Sequence, residues 1–462
     1  MIRLLLTFLL FAGVSRLAAA ERAPNFIVIF ADDLGYGDLG CYGHPTINTP
    51  NLDRMAREGM KFTDFYSAAE VCTPSRAGLM TGRYPIRSGM ASDKRRVLFP
   101  NSGGGLPQSE ITIAKALKAK EYATACVGKW HLGHLPQFLP TRHGFDSYFG
   151  IPYSNDMDRS PKAPKGRVPF NEPKSEYWDV PLMRDEVIVE RSPDQHELVP
   201  RYTRAALAFI EKNQSRPFFL YFAHSFPHVP LFASKRFAGK SPRGLYGDVV
   251  EEVDWSVGEI MKALKRLKID RETLVFFTSD NGPWLIFNDQ GGSAGLLRGG
   301  KGSTWDGGMR EPGIAWWPGT IRPARVEHSL ASTLDLLPTF LSLAKLPPIS
   351  DRVIDGRDLS PVLHGTGPVE RDAYFYYRGE TLFAVRQGQH KAHFKTQDGY
   401  GQARPEIHTP PLLNQLGIDP GEQWNVAATS PQVIASIEDA LERHRKTLKP
   451  VVNQLEIPLP AE

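Results

Sequence analysis

An α/β fold with a large, mostly parallel sheet is predicted by three features of the 462-residue sequence. Short β-branched and aromatic runs recur, amphipathic helical stretches separate them, and several runs end in charged or amide residues beside glycine. In chain order, "NFIVIFADD" reads as a buried strand ending in two carboxylates. "TPNLDRMAREG" is a short helix with Thr49 or Asn51 near its cap and Gly59 at its end. "CTPSRAGLMTG" opens another helix, with Pro74 in the first turn. "ITIAKALKAK" is helical and "YATACVGKWH" a strand; "RYTRAALAFIEKN" is a helix and "PFFLYFAH" a strand. "GDVVEEVDWSVGEIMKALKRL" is a long amphipathic helix, followed by the strand "TLVFFTSDNG". "GIAWWPG" adds a strand and "STLDLLPTFLSLAKL" a helix. Segments 150–175 and 283–303, rich in Pro and Gly, read as long loops over one face.

The pattern changes after about residue 365. "RDAYFYYRGETLFAVRQGQHKAHF" predicts hairpin strands turning at Gly379 and Gly388, and "PQVIASIEDALERHRKTLKP" a closing helix. The expected organisation is a leader at 1–20, a catalytic domain at 21–365 and a C-terminal α+β subdomain at 366–462.

Composition excludes several classes. The chain is 41% hydrophobic and 23% charged, which is ordinary for a globular protein. Its net charge of +4 is too small to imply a nucleic-acid partner, and the isolated run "DKRR" at 93–96 reads as a solvated loop. "MIRLLLTFLLFAGVSRLAAA" has the basic start, apolar centre and small-residue end of a secretory signal, and is too short for a comfortable membrane span. No other stretch is long and apolar enough for a span. An exported protein is therefore expected, periplasmic or secreted in a bacterium, lysosomal in a eukaryote. Its three cysteines, Cys41, Cys72 and Cys126, permit one disulfide at most. The one glycosylation sequon is Asn213-Gln214-Ser215.

Open α/β sheets place their sites at the carboxyl ends of strands. Asp32-Asp33 and Asp280-Asn281 end two strands, each beside a glycine that breaks the chain, Gly35 and Gly282. Four oxygen donors there suit a hard cation, calcium or magnesium rather than zinc. Either pair alone would be an ordinary cap or turn. Lys129 and His131, two apart at a third strand end, are expected to project to one side and to suit an anionic substrate and a proton transfer. His228 follows a fourth strand between prolines, and Lys301 lies in a glycine-rich loop. That loop nearly matches a phosphate-binding loop, but Gly302 stands where Ser or Thr is required, and nucleotide binding is rejected.

Cys72 stands at the positive end of a helix, with Arg76 four residues on. Read alone, this is either a low-pKa nucleophilic cysteine or an inert buried thiol. A thiol beside a hard cation is a chemical mismatch, since thiolates prefer soft metals.

"CTPSRAGLMTGR" resembles the Cys-x-Pro-x-Arg signature of the type I sulfatases, and "YATACVGKWH" resembles their second signature, except that Glu121 stands where glycine usually precedes the tyrosine. The similarity runs from about residue 24 to 450. "FADDLGYGDLGCYGHP" and "GLLRGGKGSTWDGG" resemble the arylsulfatase A branch; "GKWHLGHLPQF", "RHGFD" and "YYRGETLFAVRQGQHKAHF" resemble the N-acetylgalactosamine-6-sulfatase branch. The resemblance implies an alkaline-phosphatase-like fold and conversion of Cys72 to formylglycine by a maturation enzyme. The hydrated aldehyde would then be an oxygen nucleophile that suits calcium. It implies one Ca2+ held by Asp32, Asp33, Asp280, Asn281 and the modified Cys72. Asp280 would serve as base, His228 as acid with Lys301, and His131 as the base that expels sulfate. Arg76 would orient formylglycine, while Lys129, Lys301 and Ser154 bind the sulfate group. A sulfated sugar is the expected substrate, galactosamine-type and cleaved from a chain end; another sulfated glycan or a sulfolipid is the alternative. Phosphate-ester hydrolysis on the same fold typically uses Ser or Thr and two zinc ions, which Cys72 and a single oxygen-rich site argue against. A glycan-binding relative that had lost activity would need a broken constellation, and every matched position is intact. Specificity is expected in loops 91–105, 154–180 and 283–298 and in the C-terminal subdomain. There Trp284 and the tyrosines near 374–377 could stack on a sugar, although packing is the commoner role for such residues.

Overall fold

The computed structural model describes residues 22–400, 402 and 404–459; the leader expected at 1–20 lies outside them. Among the described residues, no helix is long and apolar enough to cross a membrane. A large sheet is built from β1 (Asn25–Ala31), β2 (Met60–Tyr66), β3 (Ala123–Gly128), β4 (Ser147–Gly150), β5 (Pro181–Arg184), β6 (Val187–Arg191), β7 (Phe218–Ala223), β8 (Thr273–Ser279), β9 (Arg310–Trp316), β10 (Arg325–Glu327) and β11 (Ala331–Ser332). Its order is β10-β2-β9-β8-β1-β7-β3-β4-β5-β6, with β11 paired to β2. The centre, β8-β1-β7-β3-β4, is parallel. Beyond it β9 and β5 run antiparallel to their neighbours.

β1 shows why such a strand reads as one apolar run. Ile27, Ile29 and Ala31 face one core with Tyr202, Ile210, Val253 and Ile260 of the helices Leu198–Asn213 and Leu245–Arg266. Phe26, Val28 and Phe30 face the other with Leu79, Met80, Leu337 and Phe340. Both faces are covered, so neither needs a polar residue. Each buried large side chain contributes about 1.5–3 kcal/mol from apolar burial.

Strands β2 and β4–β6 were not expected from sequence. β2 shifts register between Phe62 and Phe65, which breaks the alternation that would mark it. β4–β6 are only four or five residues each. The segment "ITIAKALKAK" yields a short helix, Ile113–Leu117, and then a tighter turn to Lys120.

The C-terminal sheet is antiparallel, β12 (Tyr374–Arg378), β13 (Thr381–Gln387), β14 (His390–Thr396) and β15 (Glu406–Gln415), with the expected turns at Gly379 and Gly388. The helix Pro431–Arg445 packs on it. The sheet is locked to the larger one by buried Lys391, which donates to Thr304 O and Asp306 Oδ1 at 2.8 Å and pairs with Glu422 at 2.9 Å. All three cysteines are free. Asn213 of the sequon is buried, and its side chain bonds Phe209 O and Arg216 Nε, so it presents no accessible amide for a glycan.

Candidate active site

The site gathers at the carboxyl ends of the central parallel strands. β1 stops at Ala31, and Asp33 turns left-handed with φ 63°. That turn lets two adjacent carboxylates face one point, which an extended strand forbids. Asp33 N donates to Asp280 Oδ1 at 3.1 Å, and Asn281 Nδ2 donates to Asp33 Oδ1 at 2.8 Å, so the ends of β1 and β8 are stitched together.

Cys72 is the first residue of the helix Cys72–Thr81, which ends at left-handed Gly82. It is buried, and its Sγ lies 3.7 Å from Asp32 Oδ1. One turn later, Arg76 donates from Nε and Nη2 to Asp280 Oδ2 at 3.0 and 2.8 Å, and from Nη1 to Lys129 O at 2.8 Å. Its bonds go to the carboxylate and backbone that surround Cys72. Asp280, the expected base, has Oδ2 shared by two Arg76 nitrogens and Oδ1 accepting from Asp33 N, so it is more firmly held than a free base would be.

Lys129 Nζ donates to Asp32 Oδ2 at 2.6 Å and to Ser154 Oγ at 3.1 Å. Lys301 Nζ donates to Asp33 Oδ2 at 2.8 Å. The expected alternation of Lys129 and His131 does not apply: β3 ends at Gly128, whose φ is 107°, and His131 itself has φ 59°. His131 turns its Nε2 to Leu98 O at 2.9 Å, and its Nδ1 is buried without a partner among the described residues. His228 Nδ1 contacts Val229 O at 2.5 Å, which leaves Nε2 3.3 Å from Ser154 Oγ and 3.6 Å from Asp33 Oδ2.

Burial sets the protonation. It pushes the Cys72 thiol up to about 12, against the pull of Lys129 and Lys301, so the unmodified side chain is a neutral thiol at physiological pH. This removes the low-pKa cysteine reading. Burial also raises Asp33, to about 7, against Lys301 and with the help of Asp32 and Asp280. Asp32 is held well below the usual carboxylate range: burial works against this, but Lys129, His228 and Arg76 prevail. His131 and His228 are driven well below their ordinary value by burial, then by Lys129 and Lys301 respectively.

The donor set fits a hard cation. One ligand atom from each of Asp32, Asp33, Cys72 and His228 lies within 4.8 Å of the others. Asn281 Oδ1 is buried and has no partner among the described residues, an orphan that a cation would satisfy. His228 joins this cluster through a ring nitrogen. Three buried cations, Arg76, Lys129 and Lys301, balance the carboxylates Asp32, Asp33 and Asp280, so an added divalent ion leaves net positive charge for an anionic ester.

Several neighbours carry no sequence signal. Asp156 lies within electrostatic reach of Lys301 and Lys129, and its Oδ1 is buried without a partner among the described residues. Glu311 is fully buried on β9, and burial together with Asp280 and Asp33 drives its carboxyl well above the ordinary value. Tyr400 arrives from the C-terminal subdomain, its ring 5.4 Å from that of Trp284. Trp284 itself is at the site, with Lys301 Nζ 4.1 Å from its ring centre and His228 at 5.3 Å. Tyr374, Tyr376 and Tyr377 are instead buried in the C-terminal core.

A cation site beside buried lysines, at strand ends of a parallel sheet, defines a hydrolase for anionic esters. The chain belongs to the sulfatase family: the sulfatase domain matches residues 24–346 and the C-terminal region of aryl-sulfatase matches 369–459. It is 45% identical to human arylsulfatase A over 93% of this chain and 89% of that protein. It is 44% identical to dog N-acetylgalactosamine-6-sulfatase over 95% of this chain and 89% of that one. Among solved structures it is similar to the PsFucS1 sulfatase from Pseudoalteromonas sp., with a TM-score of 0.81, 29% identity, and coverage of 92% of this chain and 90% of that one. It is also similar to Ps i-CgsB, solved in complex with k-i-k-neocarrahexaose, with a TM-score of 0.79 and 30% identity over 95% and 96% of the two chains. The protein is a sulfuric ester hydrolase, of a family that generally uses formylglycine and a divalent metal.

Proposed function

We propose that the protein removes sulfate from a sulfated sugar at a chain end, galactosamine-type, using one Ca2+ and a formylglycine made from Cys72. The buried Cys72 side chain, 3.7 Å from Asp32 Oδ1 in the middle of the cation-site carboxylates and within the sulfatase match, carries this reading. Support for a sugar substrate comes from the 44% identity to N-acetylgalactosamine-6-sulfatase. Asp32, Asp33, Asn281 and the free lone pairs of Asp280 would hold calcium. Bound together, calcium and hydrated formylglycine would polarise the sulfate group and provide an oxygen nucleophile.

The chain's own residues do the rest. Lys129 and Ser154 on one side and Lys301 on the other would neutralise the sulfate oxygens. His228 exposes Nε2 to the site while Val229 O fixes its ring, so a proton held there would reach the leaving oxygen. His131, anchored on Leu98 O, would take the proton that frees sulfate. Residues 21–365 would form the catalytic domain and 366–462 the C-terminal subdomain, exported behind the 1–20 signal after a maturation enzyme acts on "CTPSR". The test is sulfate release from sulfated mono- and disaccharides, with calcium present and chelated. Release that requires calcium and favours a terminal sulfated galactosamine is expected; release only from sulfolipids overturns the sugar assignment.

A further inference from the structure

The basic run at 93–96 is a loop with Asp93 and Lys94 exposed, but it is tied down. Asp93 accepts from Glu380 N at 2.9 Å and from Thr381 Oγ1 at 2.9 Å, which ties the run to the hairpin between β12 and β13. The side chain of Arg96 is only 16% exposed, and Arg378 at the end of β12 lies within electrostatic reach of it. The two guanidiniums are close enough that burial and Arg378 together lower Arg96 to about 10.

Both arginines stand next to the catalytic pocket. Arg378 Nε donates to Gly302 O at 3.0 Å, one residue from Lys301. Gly302 N donates to Glu70 O at 2.8 Å, two residues before Cys72. Arg96 pairs with the Glu70 carboxylate. Tyr400 lies over the same strip: a Cβ on Gly302 would come within 3.0 Å of its ring. At the rim, Glu70 pairs with Arg96, while Asp93 is the carboxylate within electrostatic reach of Arg378. Arg96 Nε is buried without a hydrogen-bond partner, and neither Nη of Arg378 bonds any described residue. An arginine pair with spare donors is suited to a carboxylate or sulfate.

We propose that Arg96 and Arg378 form a second anion subsite, so that preferred substrates carry another carboxylate or sulfate besides the sulfate that is hydrolysed. This rests on the sulfated-sugar reading above. The two sources share one chemistry, an oxyanion that accepts two guanidinium donors.

The test uses the full mature chain with calcium and three substrates sharing one scissile sulfate. The group beside it is neutral, a uronate or a second sulfate. Wild type is expected to favour at least one dianionic substrate by about tenfold or more in kcat/KM, the size of one or two charged hydrogen bonds. The ratio should fall toward one in Arg96→Gln and in Arg378→Gln, through KM rather than kcat. Wild type alone gives a check free of folding effects, since added salt should erase the preference. Which anion wins identifies the source. Equal turnover of all three by wild type overturns the subsite but not the sulfated-sugar reading. No turnover of any overturns that reading, and the subsite with it.

Discussion

Arg76 grips Asp280 with two nitrogens on one carboxylate oxygen, at 3.0 and 2.8 Å, and both side chains are fully buried. A lysine cannot reproduce that fork together with the third bond to Lys129 O. Arg76→Lys should therefore lower kcat/KM by about 100-fold, the order of two lost charged hydrogen bonds. Arg76→Ala should destabilise the fold as well, by about 3–5 kcal/mol, because Asp280 is left as an unpaired buried charge. Steady-state kinetics and melting curves separate the two effects. Wild-type kinetics in Arg76→Lys would show that the fork is dispensable.

Calcium should stabilise the protein before any substrate is present. The orphaned Asn281 Oδ1 and the carboxylate raised to about 7 at Asp33 both gain a partner. At about 100 times the dissociation constant, the gain is about 2.7 kcal/mol. Differential scanning calorimetry with calcium and then with chelator measures it. Asn281→Leu should remove most of the shift. A melting temperature indifferent to calcium in wild type would rule out the cation site.

Residue 72 should be an aldehyde in active enzyme. Mass spectrometry of the peptide around "CTPSR", from protein made with a maturation enzyme, should find formylglycine, and Cys72→Ala should lose turnover while melting like wild type. Activity that persists with an unmodified thiol contradicts the mechanism, because burial keeps that thiol neutral.

Acid should destabilise the fold through three buried histidines. Burial alone lowers His224 to about 3. Burial and Lys115 do the same to His143, and burial with Arg87 and Arg445 to His444. His224 and His143 have no partner on either ring nitrogen among the described residues, and His444 Nδ1 faces Arg87. In the unfolded chain each takes up a proton near 6.5, whereas the folded chain does so only near 3. Stability is therefore full above 6.5 and declines as pH falls below it, by about 1.4 kcal/mol per pH unit for each histidine. Melting curves from pH 7.5 to 4.5 test this, and His224→Phe should make the decline shallower. A melting temperature that holds steady or rises on acidification contradicts it.

The central strands were legible because both faces of a parallel sheet are covered, so β1, β7 and β8 carry continuous apolar runs. The short and bulged edge strands gave no such pattern. Site residues at strand ends were legible in the same way: Asp32, Asp33, Asp280, Asn281, Lys129, His228 and Lys301 converge because topology brings those ends together. Tyr400, Arg378 and Arg96 were not, because they meet the pocket only through packing of the C-terminal sheet against loop 91–105. His131 was legible as a site residue, but not in its orientation, since the chain leaves the strand at Gly128.

Glu121 is the one visible departure from the family signature, and its geometry explains it. It ends the turn Lys118–Lys120 in the left-handed region, φ 57°, where glycine is comfortable and a glutamate is strained by about 1–2 kcal/mol. Glycine gains more freedom in the unfolded chain, which returns about 0.5–1 kcal/mol of that difference. Glu121→Gly should therefore leave stability unchanged or raise it by about 1 kcal/mol. The position stands just before β3, and Lys129 and His131 beyond its far end are fixed by their own bonds to Asp32 and Leu98. Sulfate release by Glu121→Gly should thus match wild type within about twofold, well under the tenfold that 1.4 kcal/mol represents. A larger loss would mean that the turn before β3 governs the placement of Lys129.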